Sequence, residues 1–540
     1  MADLQQADET QAFAESHFNA WAPRPRVAIG LFVVLAFPVL LMGLDDYGVV
    51  NADEAFYHDI AWTMLETGDW WKVRTGSGEH VYDTFANAPL QYWGRGGVIA
   101  ISGPGIFGMR ILSALAGLLT VVATYSLTLS IAGRAAAFLS GLLLLGNYAF
   151  VYLHGARTGE LETGVTLLLV GLVATFIRAL QRPKSSFIPH HLLLVALLGW
   201  KAPVVPIPIL AEIAAFALLP AARRRGVDWL RTGLWVVVPG ALIWHGYHAW
   251  RMQAFLPQVI DAIGAQAGGP SMAQGLLGRA SWYLERAWFG AWPQIALLPA
   301  ALLALREHLK TLGSGSADAV RLVAIFFVSI LIFYCSISKV GPWYLNHSYP
   351  FLAILIAIGM LALVRQGTSF SVPLFFFALG LAAIPYIAPP LLNFDPFAES
   401  AIRLAMPLEI RGIAPLPPVV AIGLTALALM GFLGLMTKRG GGAGLWVFGF
   451  VGVVVLLSAL RVTWPLHDLK RQSAGYALFL ELDERRSRQV EPSFPIEVEP
   501  VHPWIVHYYF GHHYVIQPAP PRAGDPGPPR QRYHLIAPRS

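Results

Sequence analysis

The sequence predicts an all-α integral membrane protein of about thirteen transmembrane helices, with interfacial helices in its first outer loop and a small mixed region at the C-terminus. Three observations predict it. Of 540 residues, 56% are hydrophobic and only 13% are charged, whereas a soluble domain carries about a quarter charged residues. Apolar runs long enough to cross or nearly cross a bilayer recur along the chain; a crossing takes about 17–25 helical residues. Basic residues gather in alternate loops, as they do on the cytoplasmic side of membranes.

Within the segment 1–26, Met1 to Ala22 is polar and lacks a basic leader, and the first apolar run, 27–44, is followed by acids rather than a cleavage site. It reads as a retained span with a cytoplasmic segment before it. Further runs cover 106–131, 135–153, 163–180, 190–203, 204–221, 232–250, 289–305, 320–338, 348–364, 371–390, 417–437 and 444–463. The pair at 190–221 is split by Lys201-Ala202-Pro203 and could be one broken element, because proline interrupts the helical ladder. Merging the two would upset the loop alternation downstream, so thirteen spans are preferred.

Arg134, then Arg178, Arg182 and Lys184, then Arg223 to Arg225 and Arg231, then Arg306, Lys310 and Arg321, then Arg365, then Lys438 and Arg439 mark the cytoplasmic loops. The opposite loops, 45–104, 154–162, 251–288, 339–347 and 391–416, carry acids and aromatics. The transmembrane domain is therefore 27–463, with both the long loop 45–104 and the tail outside. Within the tail, 464–517 forms a small outer region, whose Ile496 to Gln517 stretch reads as strands. Residues 518–540 read as a flexible Pro-rich end. In the first outer loop, His58 to Glu66 reads as an amphipathic interfacial helix.

Composition excludes several classes. A single cysteine, Cys335, permits no intrachain disulfide and no cysteine metal cluster. The net charge of +6 is spread over short loops and gives no nucleic-acid surface. There is no phosphate-cradling glycine loop. His502, His507, His512 and His513 match no zinc spacing, so a divalent metal is unsupported and no cofactor is assigned.

The ionisable residues in the outer loops carry the chemistry. Asp53-Glu54 opens the long loop at the mouth of the bundle, where carboxylates are costly unless solvated or paired. One such acid can act as a general base toward an acceptor hydroxyl; alternatively, Asp53 caps the helix that follows. The short loop His154 to Glu162 holds Arg157, Glu160 and Glu162, which either line a polar cavity or pair locally with little energetic weight. Lys201 either snorkels to the interface or serves as a point charge for a phosphate. The loop from Ser338 to Pro350 groups Lys339, Tyr344, His347 and Tyr349, as fixed donors for a leaving phosphate or as interfacial anchors.

In order, these segments resemble the polyprenyl-phosphate-sugar-dependent membrane glycosyltransferases of the GT-C fold, which include lipid A aminoarabinose transferases and protein O-mannosyltransferases (glycosyltransferase families 39 and 83). Asn51-Ala52-Asp53-Glu54-Ala55-Phe56-Tyr57 is similar to their Asp-Glu-Ala-x-Tyr motif, and Met64-Leu65-Glu66-Thr67-Gly68-Asp69-Trp70 to the Met-Leu-x-x-Gly-Asp-Trp after it. Phe85 to Trp93 resembles a Lys-Pro-Pro-Leu-x-Tyr-Trp stretch, with Asn87 in place of its lysine and Ala88 in place of its first proline. Ala156 to Glu162 resembles Ala-Arg-x-Gly-x-x-Asp, with Glu162 at the second acid. Gly199 to Pro203 resembles Thr-Lys-Gly-Pro, and Lys339, Tyr344 and Tyr349-Pro350 resemble a late Lys-x-x-x-Tyr-x-x-Pro loop.

The resemblance implies a GT-C fold and inverting transfer of a sugar from a polyprenyl-phosphate donor to a hydroxyl on a lipid, glycan or protein, outside the cytoplasmic membrane. It implies that Asp53 activates the acceptor, that Glu54 and Glu162 support it, and that Arg157, Lys201, Lys339 and Tyr344 hold the donor phosphate. Tyr57, Asn87, Glu160 and His347 complete the expected pocket. Phe56 stands where some relatives carry a basic residue, and Ala86 where one branch carries a zinc ligand. Two alternatives remain at this stage: a transporter or flippase of a lipid-linked substrate, which would place charges near the bilayer midplane on broken helices, and an inactive scaffold relative.

Overall fold

The computed structural model describes residues 22–45, 49, 52–75, 88–182, 184–247, 275–291, 294–337 and 340–365, and strands at 496–498, 514–518 and 533–538. Helix α1, Pro25–Ala36, opens with Pro25, whose missing N–H would have no intrahelical acceptor there. It runs into a π-helical turn, Phe37–Leu41.

Two helices occupy the long loop 45–104: α2, Ala52–Thr67, and α3, Leu90–Ser102. The sequence places this helix over His58 to Glu66, or from residue 55 if Asp53 caps it. The structure begins it at Ala52, so Asp53 and Glu54 sit in the first turn rather than capping it, where negative charge suits the helix dipole. Helix α3 is not foreseen because 13 residues that include Gly94, Gly96 and Gly97 are too few and too polar to register as an apolar run. Ile60, Ala61 and Met64 of α2 and Tyr92 and Ile99 of α3 form a small core with Val73. Tyr92 is thus buried, and Trp93 donates its indole N–H to the Trp70 carbonyl at 2.6 Å.

Helix α4, Ile106–Leu145, covers one expected span and the start of the next. Laid straight, its 40 residues would reach about 60 Å, twice the hydrocarbon core. The chain instead doubles back at Gly133, whose φ of +83° and ψ of −179° lie outside helical space. The Ser140 hydroxyl donates to the Thr128 hydroxyl oxygen at 3.0 Å across a separation of 12 residues, which would stand about 18 Å apart on a straight helix. The first arm covers the expected span at 106–131; the second covers only the start of that expected at 135–153, because the helix ends at Leu145. Helix α5, Tyr148–Tyr152, follows, capped by the Asn147 side chain, which accepts the Phe150 N–H.

Helices α6, Glu162–Gln181, and α7, Ile188–Lys201, run antiparallel through a short connection. A 3₁₀ turn, Ala202–Val204, then leads to α8, Pro206–Leu218, at an angle of 111° to α7. Two sharply bent helices therefore stand where the sequence leaves one broken element possible. Beyond α9, Pro220–Arg224, helix α10, Gly226–Ala241, buries no side chain, and its Val227, Leu230, Leu234, Trp235 and Val238 face outward. Such an apolar face suits lipid.

Helix α11, Leu276–Gly290, lies in a stretch the sequence reads as loop. Helices α12, Leu298–Thr311, α13, Ser314–Ser336, and α14, Tyr349–Arg365, complete the described bundle. Helices α12 and α14 approach so closely that a Cβ on Gly359 would overlap the Ala301 backbone, the close crossing small residues give in membranes. By length and composition, α4, α6 and α13 can each cross a membrane, and α7 with α8 makes a fourth if that bent pair is one span. The expected spans at 371–390, 417–437 and 444–463 lie outside the described residues.

Three C-terminal strands, β1 (Ile496–Val498), β2 (Tyr514–Pro518) and β3 (Tyr533–Pro538), form an antiparallel sheet in the order β1-β3-β2. The register between β2 and β3 shifts between Val515 and Ile516. Strand β3 corrects the expectation that everything after residue 518 is flexible tail: Tyr533, Leu535 and Ile536 give it strand character.

Replacing Gly133 with valine is expected to destabilise the protein by about 1–3 kcal/mol, because that backbone region is open almost to glycine alone. Thermal unfolding in detergent micelles measures this.

Candidate active site

The site begins with an ion pair. Glu54 is wholly buried, and both its oxygens are taken: Arg110 donates from Nε to Oε1 at 2.5 Å and from Nη2 to Oε2 at 3.0 Å. The Gly159 N–H donates to Oε1 at 2.9 Å, and Arg110 also donates from Nη1 to the Leu44 carbonyl at 2.7 Å. A Cβ on Gly159 would press into Glu54 and Met109, so only glycine lets this backbone come so near. Glu54 thus fastens the first turn of α2 to α4 and to the loop before α6. A carboxylate with this many donors is poorly suited to taking a proton, so the supporting role expected of Glu54 is one of position.

Its neighbour Asp53 is exposed. Tyr57 lies one turn further along α2, on the same face as Asp53. Burial raises the Tyr57 phenol well above its ordinary pKa, and the charges of Asp53 and Glu162 raise it further. The Tyr344 phenol is raised by burial and then by the same two acids, Glu162 and Asp53. Both carboxylates therefore act on both tyrosines, although Asp53 and Glu162 are more than a hundred residues apart in the chain.

Glu162 starts α6 and Lys201 ends α7, so the antiparallel pair brings them to one end of the bundle. Lys201 Nζ donates to Glu162 Oε1 at 2.6 Å, and the Lys201 side chain stays 15% exposed. The ammonium lies 5.6 Å from the Tyr344 ring centroid, within cation–π range. His154 approaches Glu162 Oε2 at 3.9 Å and stacks on Trp343 at 4.2 Å between centroids. His154 has a φ of +47°, an uncommon state for a side-chain-bearing residue that clusters at functional sites. Asn346 donates from Nδ2 to the Leu153 and His154 carbonyls, which ties the 3₁₀ turn Pro342–His347 to the same corner. Tyr344 stacks flat on Tyr334, whose hydroxyl lies 2.6 Å from His347 Nδ1.

The structure thus brings Glu162, Lys201, Tyr344 and His347 to one end of the bundle, with Asp53 and Tyr57 near enough to interact with them electrostatically. Arg157 is a correction. Its guanidinium is wholly buried and donates to the Val39, Met42 and Gly43 carbonyls at 2.9–3.1 Å. It caps the end of the first helix and so is committed to the fold rather than to a phosphate. The local Arg157–Glu162 pair is also replaced, by Glu162–Lys201. Glu160 is buried, and its carbonyl accepts from Arg95 Nη2 and from the Ser113 hydroxyl, each at 3.0 Å. Asn87 and Lys339 lie outside the described residues, as do the four tail histidines. Among the described residues, no group of three or more His, Cys, Asp or Glu side chains could hold a metal.

Sequence reasoning misses Arg110, Arg95, His154 and Tyr334, although an arginine just inside an apolar run signals a buried partner. It also misses a buried pair at the far end of the bundle, His190 Nε2 to Glu212 Oε1 at 2.9 Å.

Arg110→Ala is expected to cost about 3–5 kcal/mol, since it strands the Glu54 charge; the yield of folded protein and its Tm test this. Burial, together with the Lys201 charge, pushes the His347 imidazole down to about 3, whereas an unfolded histidine titrates near about 6.5. Below that pH the unfolded chain takes up a proton that the folded chain refuses. The Tm is therefore expected to fall as pH drops from 7 toward 4, and less steeply in His347→Gln.

Residues 86–244 match the family model described as dolichyl-phosphate-mannose-protein mannosyltransferase. No curated protein matches the sequence. The fold is similar to that of ArnT from Cupriavidus metallidurans bound to undecaprenyl phosphate, with a TM-score of 0.65 and 20% identity over 90% of this chain and 84% of that one. The apo form of the same protein gives 0.61 at 19% identity, over 90% and 84%. An Archaeoglobus fulgidus oligosaccharyltransferase in its apo form gives 0.50 at 11% identity, over 90% of this chain and 63% of that one. These likenesses show a GT-C fold.

Proposed function

We propose that this membrane protein transfers a sugar from a polyprenyl-phosphate carrier to a hydroxyl acceptor, with inversion at the anomeric carbon. The observation that carries the reading is the Glu162–Lys201 pair set beside the Tyr344 ring, with Asp53 exposed on α2 and near enough for its charge to raise the Tyr57 and Tyr344 phenols. One accessible base and one accessible cation at the same end of the bundle are what displacement of a phosphate-linked sugar requires.

In the reaction, Asp53 takes the proton from the acceptor hydroxyl as its oxygen attacks the anomeric carbon. The bond from that carbon to the phosphate oxygen breaks, and the polyprenyl phosphate leaves with the electron pair. Lys201 and Tyr344 stabilise the charge gathering on the departing oxygen. Glu162 holds the ammonium in place, and Glu54 holds the turn that presents Asp53. The undecaprenyl phosphate named for the ArnT structure supports the donor class, and the family description supports a glycosyl transfer. The acceptor is a lipid, glycan or protein hydroxyl. The site faces outward from the cytoplasmic membrane, with the N-terminus cytoplasmic and the C-terminal region outside; the loop charges support this orientation.

Asp53→Asn is expected to lower transfer from a lipid-linked sugar by about 10²–10⁴-fold, the usual weight of a general base, while leaving the Tm near that of the unaltered protein. Full transfer by this variant would overturn the mechanism.

A further inference from the structure

The mechanism above gives His347 no task. His347 ends the 3₁₀ turn Pro342–His347 and is wholly buried. Its Nδ1 meets the Tyr334 hydroxyl at 2.6 Å, but Nε2, on the other edge of the ring, has no hydrogen-bond partner.

The tautomer follows from counting donors. A neutral imidazole has one N–H and one accepting nitrogen. If Nδ1 carried the proton, it would donate to the Tyr334 oxygen. The Tyr334 proton would then lack an acceptor, and Nε2 would be a bare acceptor: two unmet groups. If Tyr334 donates to Nδ1, a single group is unmet, the Nε2–H. Each buried unmet group costs about 1–3 kcal/mol, so the second arrangement is favoured. Tyr334 is held for this task by its flat stacking on Tyr344, 4.7 Å between centroids and 5° between planes.

The charged groups that act on the ring are Lys201 and Glu162. Burial and the Lys201 charge keep it neutral at ordinary pH. A fixed N–H donor that cannot become a cation, beside an ammonium, calls for a ligand with only accepting oxygens. A phosphate has them.

We propose that His347 donates its Nε2–H to a non-bridging phosphate oxygen of the lipid-linked donor, next to Lys201 and Tyr344, with Tyr334 fixing the tautomer. The assignment rests on the proposed donor class. It gives the phosphate a neutral contact beside the ammonium that Glu162 holds.

The test is binding of undecaprenyl phosphate, which carries no sugar, to the full chain in nanodiscs, read by calorimetry. His347→Ala is expected to weaken binding about tenfold to a hundredfold, the weight of a hydrogen bond to a charged group. His347→Gln, which keeps a donor, is expected to recover much of this. Tyr334→Phe, which frees Nδ1, is expected to weaken binding severalfold. In a sample labelled with ¹⁵N at histidine, the His347 resonances are expected to report the Nε2–H tautomer and to shift when undecaprenyl phosphate is added. A merely structural role would leave them unmoved.

Unchanged binding by His347→Ala, or the opposite tautomer, would overturn this assignment alone. Loss of sugar transfer with phosphate binding intact would place His347 on the sugar and likewise overturn it. If the unaltered protein bound no undecaprenyl phosphate, the donor class itself would fall, and this assignment with it.

Discussion

The buried pair between Glu54 and Arg110 is the constraint on which the rest of the site depends. Two charges taken out of water lose several kcal/mol of hydration each, and they recover it only when nearly every oxygen and N–H is matched. Here the matching partners come from separate parts of the chain: the Leu44 carbonyl, the first turn at Glu54, Arg110 on the hairpin, and the Gly159 N–H. The pair is satisfied only when all four are in place, so it selects one arrangement of the interfacial helix over the bundle.

That arrangement gives two adjacent acids opposite fates. Glu54 is locked among donors, while Asp53, the next residue back, stays on the open side of the same turn. Lys201 shows a similar division of labour. One carboxylate oxygen of Glu162 fixes it, one aromatic face of Tyr344 supports it, and part of its side chain remains reachable from outside. In both cases a rigid internal partner positions a charge whose useful side is left unfilled, which is how a preorganised site keeps its charges ready for a substrate.

Much of this was readable from residue order. Apolar runs marked the helices because hydrocarbon leaves the backbone little alternative to a helix. The short acidic loop and the interrupted run at Lys201 marked the site because ionisable groups are expensive there. What could not be read was which partner each charge would choose. Arg157 and Arg110 look alike in sequence, one in an outer loop and one at the start of a span. The first closes a helix end and the second holds the acid pair, and only the packing of α1 against the hairpin decides between them. Helices α3 and α11 were hidden for a different reason: both keep a helical spacing of apolar residues, but they are short and carry glycines or charges, so a reading built on long apolar runs passes over them.

The order of the small sheet carries a further consequence. Strands β1 and β2 never touch each other, and each finds its hydrogen-bonding partner in β3, which comes after both in the chain. During synthesis neither can pair until residues 533–538 have cleared the ribosome and joined them. The sheet therefore closes only after translation has passed residue 538, and a chain cut short before residue 533 loses every rung of this ladder at once.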